Sequence, residues 1–179
     1  RDSRCIDVEA LCIRAREEVW KIRVDVRVLD DDGGLVDCAS VAAAAALQHY
    51  ARPDVSVLPE GTKIHSAYDK CLVPLSIYHM PIAVTFGISR EAGVSVTDPS
   101  ERESLFLDGG LVIACNKRRE VCVLHQSNNL VLSTKQIMSC VELAMERAQD
   151  LSDLVTTVLA EEARKKAAGE EGRGFETSV

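Results

Sequence analysis

Asp30-Asp31-Asp32-Gly33-Gly34-Leu35-Val36-Asp37-Cys38-Ala39-Ser40 runs straight into Val41-Ala42-Ala43-Ala44-Ala45-Ala46-Leu47. The passage reads as the end of a strand, an acidic glycine turn and a helix of small residues that can lie close to a sheet. Glycine supplies the positive φ that such a turn uses, and Asp37 can cap the helix. In many α/β folds a turn of this kind holds phosphate, because N–H groups at a helix start lack partners and the helix dipole favours an anion there. Here the carboxylates of Asp30, Asp31, Asp32 and Asp37 would repel it. The turn also has neither the lysine of a P-loop nor the glycine spacing of a dinucleotide site. On its own residues it is a structural turn ahead of a helix.

Upstream, Leu11-Cys12-Ile13 reads as a short strand, followed by a charged turn over Arg14 to Glu18. Trp20, Ile22, Val24, Val26 and Val28 then alternate with Lys21, Arg23, Asp25 and Arg27, which predicts a half-buried strand whose charged side faces solvent and whose aliphatic side meets a helix. That helix is predicted from about Cys38 to Tyr50 and ends before Pro53, because a proline disfavours helix at the preceding Arg52.

Downstream, Pro53, Pro59, Gly61, Pro74 and Pro81 punctuate a connector with short apolar runs at 55–57, 71–73 and 75–77. Ile82 to Ile88 and Val94 to Thr97 read as a hairpin turning at Glu91-Ala92-Gly93, followed by the acidic segment Asp98-Pro99-Ser100-Glu101-Arg102-Glu103. Leu111 to Cys115 and Val121 to Leu124 pair across the basic tip Asn116-Lys117-Arg118-Arg119-Glu120, where Lys117, Arg118 and Arg119 are candidate phosphate contacts against the plainer reading of a solubilising turn. Ser133-Thr134-Lys135-Gln136 has the form of a capping box. It opens a long helix with an apolar stripe of Ile137, Val141, Ala144, Ala148, Leu151, Val155 and Val158. Past Ala160 the stripe is lost and a polar tail is expected. The division is 1–58, 59–80, 81–160 and 161–179: a first unit, a connector, a second unit and the tail.

The chain has 179 residues, 46% hydrophobic and 27% charged, with a net charge of -7. That fits one or two globular units with a substantial core and argues against a protein that coats nucleic acid by bulk charge. Seven cysteines without a C-x-x-C pair read as reduced, buried and intracellular. The four histidines, His49, His65, His79 and His125, form no ligand spacing, so neither metal nor cofactor is expected. No apolar run approaches the roughly 20 residues of a membrane span, and Arg1-Asp2-Ser3-Arg4 has no apolar run behind it. No membrane association is expected.

Val19 to Leu47, Pro74-Leu75-Ser76-Ile77-Tyr78-His79-Met80-Pro81, Asp98 to Glu103 and Asp108-Gly109-Gly110-Leu111-Val112-Ile113-Ala114 together resemble the RNase PH family. Within it they are most similar to the non-catalytic RNase PH-type ring subunits of the eukaryotic exosome. The resemblance implies an α+β fold of two βαβ-type halves, with mixed sheets covered by helices, and a first half truncated at the point where this chain begins. It implies partners of the same type in a six-domain ring, RNA passing through the channel, and residence in the nucleus, nucleolus and cytoplasm.

It also implies where chemistry would lie. Active members continue the glycine turn with Thr-Arg-Thr, which holds the attacking phosphate; here those positions are Leu35 and Val36, and an isopropyl group cannot replace a guanidinium fork. Active members carry two aspartates six residues apart, and the match places Arg102 at the first and Asp108 at the second. A fixed cation there would repel Mg²⁺, while offering a contact to RNA phosphate or to a neighbour's carboxylate. The resemblance thus implies a catalytically inert subunit. Two alternatives remain at this level: an active phosphorolytic exoribonuclease whose site is completed by a neighbour, and a small metabolic enzyme sharing only the fold, with Asp108, His79 or Cys115 in a pocket.

Overall fold

The computed structural model describes residues 4–66, 68–89, 94–128 and 130–168. A first antiparallel pair joins β1 (Cys12–Arg14) to β2 (Glu18–Val19), and α1 (Leu35–His49) follows the glycine turn. β3 (Ala51–Arg52) pairs with β6 (Val73–Pro74), and between them β4 (Val55–Leu58) and β5 (Gly61–Ile64) form a hairpin. The centre of the molecule is a four-stranded antiparallel sheet in the order β10-β9-β7-β8. Its strands are β7 (Ile82–Ser89), β8 (Val94–Thr97), β9 (Gly109–Cys115) and β10 (Val121–Gln126). A short α2 (Glu101–Ser104) connects β8 to β9, and α3 (Thr134–Ala167) crosses the sheet. The α+β architecture is the one the sequence implies.

β7 is apolar at nearly every position because both of its faces are covered. Ile82, Val84, Phe86 and Ile88 join Leu111, Ile113 and Cys115 of β9 and Cys140, Val141, Ala144 and Ala148 of α3 in the main core. α3 starts where its capping box predicts: the Ser133 hydroxyl accepts from the Gln136 N–H at 3.3 Å, and the Gln136 side chain accepts from the Ser133 N–H at 3.0 Å.

Several expectations are corrected. Residues 20–28 form no strand: an alternating pattern says which side chains share a face but supplies no hydrogen-bonding neighbour, and none of the described strands pairs with them. Val24, Val26 and Val28 are accordingly 45%, 50% and 54% exposed rather than packed on a helix. α1 begins at Leu35, and its N-cap is Gly34 in a left-handed conformation with no side-chain cap, so Asp37 lies inside the first turn. The run 71–73 contributes only to β6, and 75–77 forms a single bridge, Ile6 to Ile77, rather than a strand. Of the seven cysteines only Cys115 and Cys140 are buried, while Cys12, Cys38 and Cys71 are exposed. α3 continues past Ala160 to Ala167 although its apolar stripe ends near Val155 and Val158 is half exposed, because Ala, Glu, Lys and Arg propagate a helix without burial. The turn at 91–93 and residues 169–179 lie outside the described residues.

Candidate functional site

The glycine turn folds onto the segment that precedes and opens α2. Gly33 forms a bridge to Ser100, and the Glu101 N–H donates to the Asp32 carbonyl at 3.1 Å. A Cβ on Gly33, whose φ is +98°, would lie 2.3 Å from the Pro99 carbonyl oxygen, and one on Gly34 would lie 2.2 Å from Asp98 Oδ1. The Asp98 carboxylate therefore rests against the start of α1, the helix end that favours an anion. Within the turn, Asp31 Oδ1 accepts from the Gly33 N–H at 3.0 Å.

Asp37 finishes the edge of the central sheet. β8 pairs with β7 only from Phe86 to Ser89, which leaves the earlier N–H groups of that edge without a strand partner. α1 supplies the acceptors: Ala83 N–H donates to Ser40 Oγ at 3.0 Å, and Thr85 donates its N–H to Asp37 Oδ2 at 2.7 Å and its hydroxyl to Asp37 Oδ1 at 2.6 Å. Burial raises the Asp37 pKa above its ordinary value, with the Asp98 charge adding in the same direction, while the two Thr85 bonds pull it down. Both carboxylate oxygens are committed to Thr85. Leu35 and Val36 precede it on the first turn, 40% and 51% exposed, and offer only hydrocarbon to solvent.

Arg102 is exposed on α2, which is held by a capping box in which the Ser100 hydroxyl accepts from the Glu103 N–H at 3.3 Å and the Glu103 carboxylate accepts from the Ser100 N–H at 2.9 Å. The Ser100 N–H and the Ser100 hydroxyl, both donating to Glu103 Oε2 at 2.9 Å, hold the Glu103 carboxyl below the ordinary range. Asp108 ends the same loop: its N–H donates to the Ile88 carbonyl at 2.9 Å, and its carbonyl accepts from Asn128 Nδ2 at 3.2 Å. The turn at 33 and 34 thus packs on the segment that opens α2, on which Arg102 lies, and Asp108 closes the loop that follows. The guanidinium of Arg102 cannot ligate a divalent cation. No cluster of three His, Cys, Asp or Glu residues among the described residues is placed to hold one.

The basic tip lies at the far end of β9, about 20 Å from Asp108 at the rise of a strand. Asn116, a residue the sequence reading passed over, shapes it. Asn116 is 1% exposed; its Oδ1 accepts from the Arg118 and Glu120 N–H groups at 3.0 Å, and its Nδ2 donates to Glu120 Oε2 at 2.6 Å. The three cations then diverge. Lys117 pairs with Asp153 of α3, Arg118 Nη2 reaches the Tyr78 carbonyl at 3.5 Å, and Arg119 lines a groove with Glu146 and Asp150. Cys115 is buried, which pushes its thiol pKa up, and it sits at the opposite end of β9 from Asp108. Asp108 and Cys115 thus lie at opposite ends of one strand, while His79 lines a cleft with Tyr78, Lys117 and Arg118.

Two family models match the chain: the 3′ exoribonuclease family, domain 1, over residues 3–53, and the same family, domain 2, over residues 79–147. Together they span about two thirds of it. The exosome complex component RRP45 of Danio rerio is 42% identical over 180 residues, covering 100% of this chain and 45% of that protein. The Rattus norvegicus protein of the same name is 41% identical over 180 residues, covering 100% of this chain and 41% of its own length. The chain thus spans less than half of the length of these relatives. Among solved structures, one described as the Archaeoglobus fulgidus exosome with RNA bound to the active site superposes with a TM-score of 0.69 at 27% identity, covering 85% of this chain and 55% of that one.

Proposed function

This chain belongs to the RNase PH family of 3′ exoribonucleases, and from that membership we propose that it is part of a structural, non-catalytic ring subunit of an exosome. In this reading it assembles with other RNase PH-type subunits and helps to thread RNA to the sites where 3′-end processing and degradation take place, in the nucleus, including the nucleolus, and in the cytoplasm. Residues 1–58 are the C-terminal part of the first family domain, 59–80 a connector, 81–160 the second domain and 161–179 a tail. A metabolic enzyme sharing only the fold is set aside by the two family matches.

The observation that carries the inert reading is the composition of the turn. Where phosphate would need a cationic fork, Leu35 and Val36 present hydrocarbon. Asp98 and Asp37 bring negative charge to the same helix start, and both Asp37 oxygens are held by Thr85. Arg102 faces solvent beside this region, where it contacts RNA phosphate or a neighbouring subunit's carboxylate.

The test is to incubate the purified chain, alone and co-purified with its ring partners, with single-stranded RNA and inorganic phosphate. The inert reading expects no nucleoside diphosphate from the chain alone. Within the ring it expects no change in the rate of release when Asp108→Asn is introduced. Release by the chain alone, or loss of ring activity in that variant, favours an active or composite site.

A further inference from the structure

At the far end of the sheet from the turn, the 75–80 segment, the basic tip, α1 and α3 line an open cleft of about 480 Å³. That size falls within the range of small-molecule sites, about 300–1,000 Å³. Lys117, Arg118 and His79 line the cleft together with Leu75, Tyr78 and Met80, and Gln48 and Thr156 add neutral hydrogen-bonding groups. In a chain of net charge -7 this is a local concentration of cationic donors, not an extension of a basic surface.

The donors have capacity to spare. An ammonium carries three N–H donors and a guanidinium five. Lys117 spends one on Asp153, and Arg118 makes one long bond, 3.5 Å, to the Tyr78 carbonyl. The backbone of the tip is fixed independently by buried Asn116, so the two cations project from a rigid turn. A phosphate accepts such donors, while a planar heterocycle stacks on an aromatic ring and aliphatic neighbours. Tyr78 is 57% exposed, and its hydroxyl is hydrogen-bonded to Asp7. Arg119, by contrast, lines a different groove between Glu146 and Asp150 and takes no part.

We propose that the cleft between Tyr78, Lys117 and Arg118 binds a phosphorylated nucleoside, either free or as one unit of a single-stranded RNA, with phosphate on the cations and base against Tyr78. The site is separate from the degenerate turn. It deepens the reading of Lys117 and Arg118 as RNA contacts and does not depend on ring assembly, which is read by co-purification and not by the titration below.

The full chain is titrated calorimetrically with adenosine 5′-monophosphate, adenosine and inorganic phosphate, and in a second arm with a six-nucleotide oligoadenylate. The monophosphate should bind more tightly than adenosine or phosphate. Arg118→Ala and Lys117→Gln should each weaken it about tenfold, the value of one charge-assisted hydrogen bond, while Arg119→Ala should leave it unchanged. Oligoadenylate binding that is tighter than the monophosphate and equally sensitive to Arg118→Ala identifies RNA as the source; the reverse order identifies a free nucleotide. The proposal is overturned if neither probe binds, or if both bind Arg118→Ala as well as the parent. Circular dichroism checks the fold of each variant; should Arg118→Ala unfold, Arg118→Gln, which keeps most of the hydrocarbon stem, carries the same comparison.

Discussion

Removing the Asp37 carboxylate should expose how much of the fold depends on α1 finishing the sheet edge. In Asp37→Ala the Thr85 N–H and hydroxyl lose acceptors at 2.7 and 2.6 Å on the stretch of β7 that β8 does not reach. A hydrogen bond to a charged group contributes about 1.5–3 kcal/mol. Two of them would give more, but Asp37 is half-buried: its ionised form already bears a burial cost, and water can reach part of the gap. The net loss should be about 2 kcal/mol. For a chain of this size that lowers Tm by about 4–8 °C, and the urea midpoint by about 1 M at unchanged m. Asp37→Asn should lose less than about 1 kcal/mol, since its amide oxygen can accept from the Thr85 N–H while its NH₂ donates to the Thr85 hydroxyl. Asp37→Ala combined with Thr85→Val should show a coupling of about 1 kcal/mol. The carboxylate also has a pH signature. Burial raises its folded pKa above 3.8, so the folded state takes up a proton before the unfolded state does as pH falls. Relative to Asp37→Asn, the parent should therefore gain stability as pH is lowered into the window just above 3.8 and lose it as pH rises out of that window. A loss below about 0.5 kcal/mol in Asp37→Ala, with no coupling to Thr85, would refute the edge-capping role.

Gly33→Ala should destabilise by about 2 kcal/mol or more, because the new Cβ meets the Pro99 carbonyl backbone at 2.3 Å and φ is +98°; a neutral outcome in urea titration would mean the turn and the 98–100 segment separate freely. Ser133→Ala should cost about 1 kcal/mol through loss of the α3 capping box, seen as a lower thermal midpoint. Phe86→Ala, at the fully buried centre of the sheet, should cost about 3–5 kcal/mol, and a loss under 2 would show that α3 collapses into the gap. In the assembled ring, Val36→Arg with Arg102→Asp should add phosphate binding, measured by calorimetry, beyond what the parent shows; no gain over the parent would refute the matching of these positions.

Local chemistry was legible where a few neighbouring residues decide it. The β9–β10 hairpin, the apolar β7 and the capping box at Ser133 follow from short-range pattern, and each is present. The stretch 20–28 failed for the opposite reason: alternation assigns faces, whereas a strand also requires a neighbour, and that neighbour is not encoded in the stretch itself. Likewise the three cations of the tip looked equivalent in sequence, yet they part because Lys117 meets a carboxylate 36 residues away. From its neighbours alone Asp37 is expected to cap the helix, because aspartate beside a glycine turn usually does. Its true partner, Thr85, is 48 residues downstream and no local signal points to it.

The glycines of the turn do not by themselves argue for an anion site, because packing alone accounts for them. Gly33 is required by the Pro99–Ser100 backbone and Gly34 by the Asp98 carboxylate, whatever else binds nearby. The favourable potential at the start of α1 is met from within the chain, by Asp98 against Gly34 and by Asp37 in the first turn. A turn stabilised this way folds without a bound phosphate, so hydrocarbon side chains at Leu35 and Val36 cost the architecture nothing. The same carboxylates that make the turn self-sufficient raise the cost of placing an anion there, which is why Val36→Arg tests chemistry while Asp37 and Asp98 continue to serve the fold.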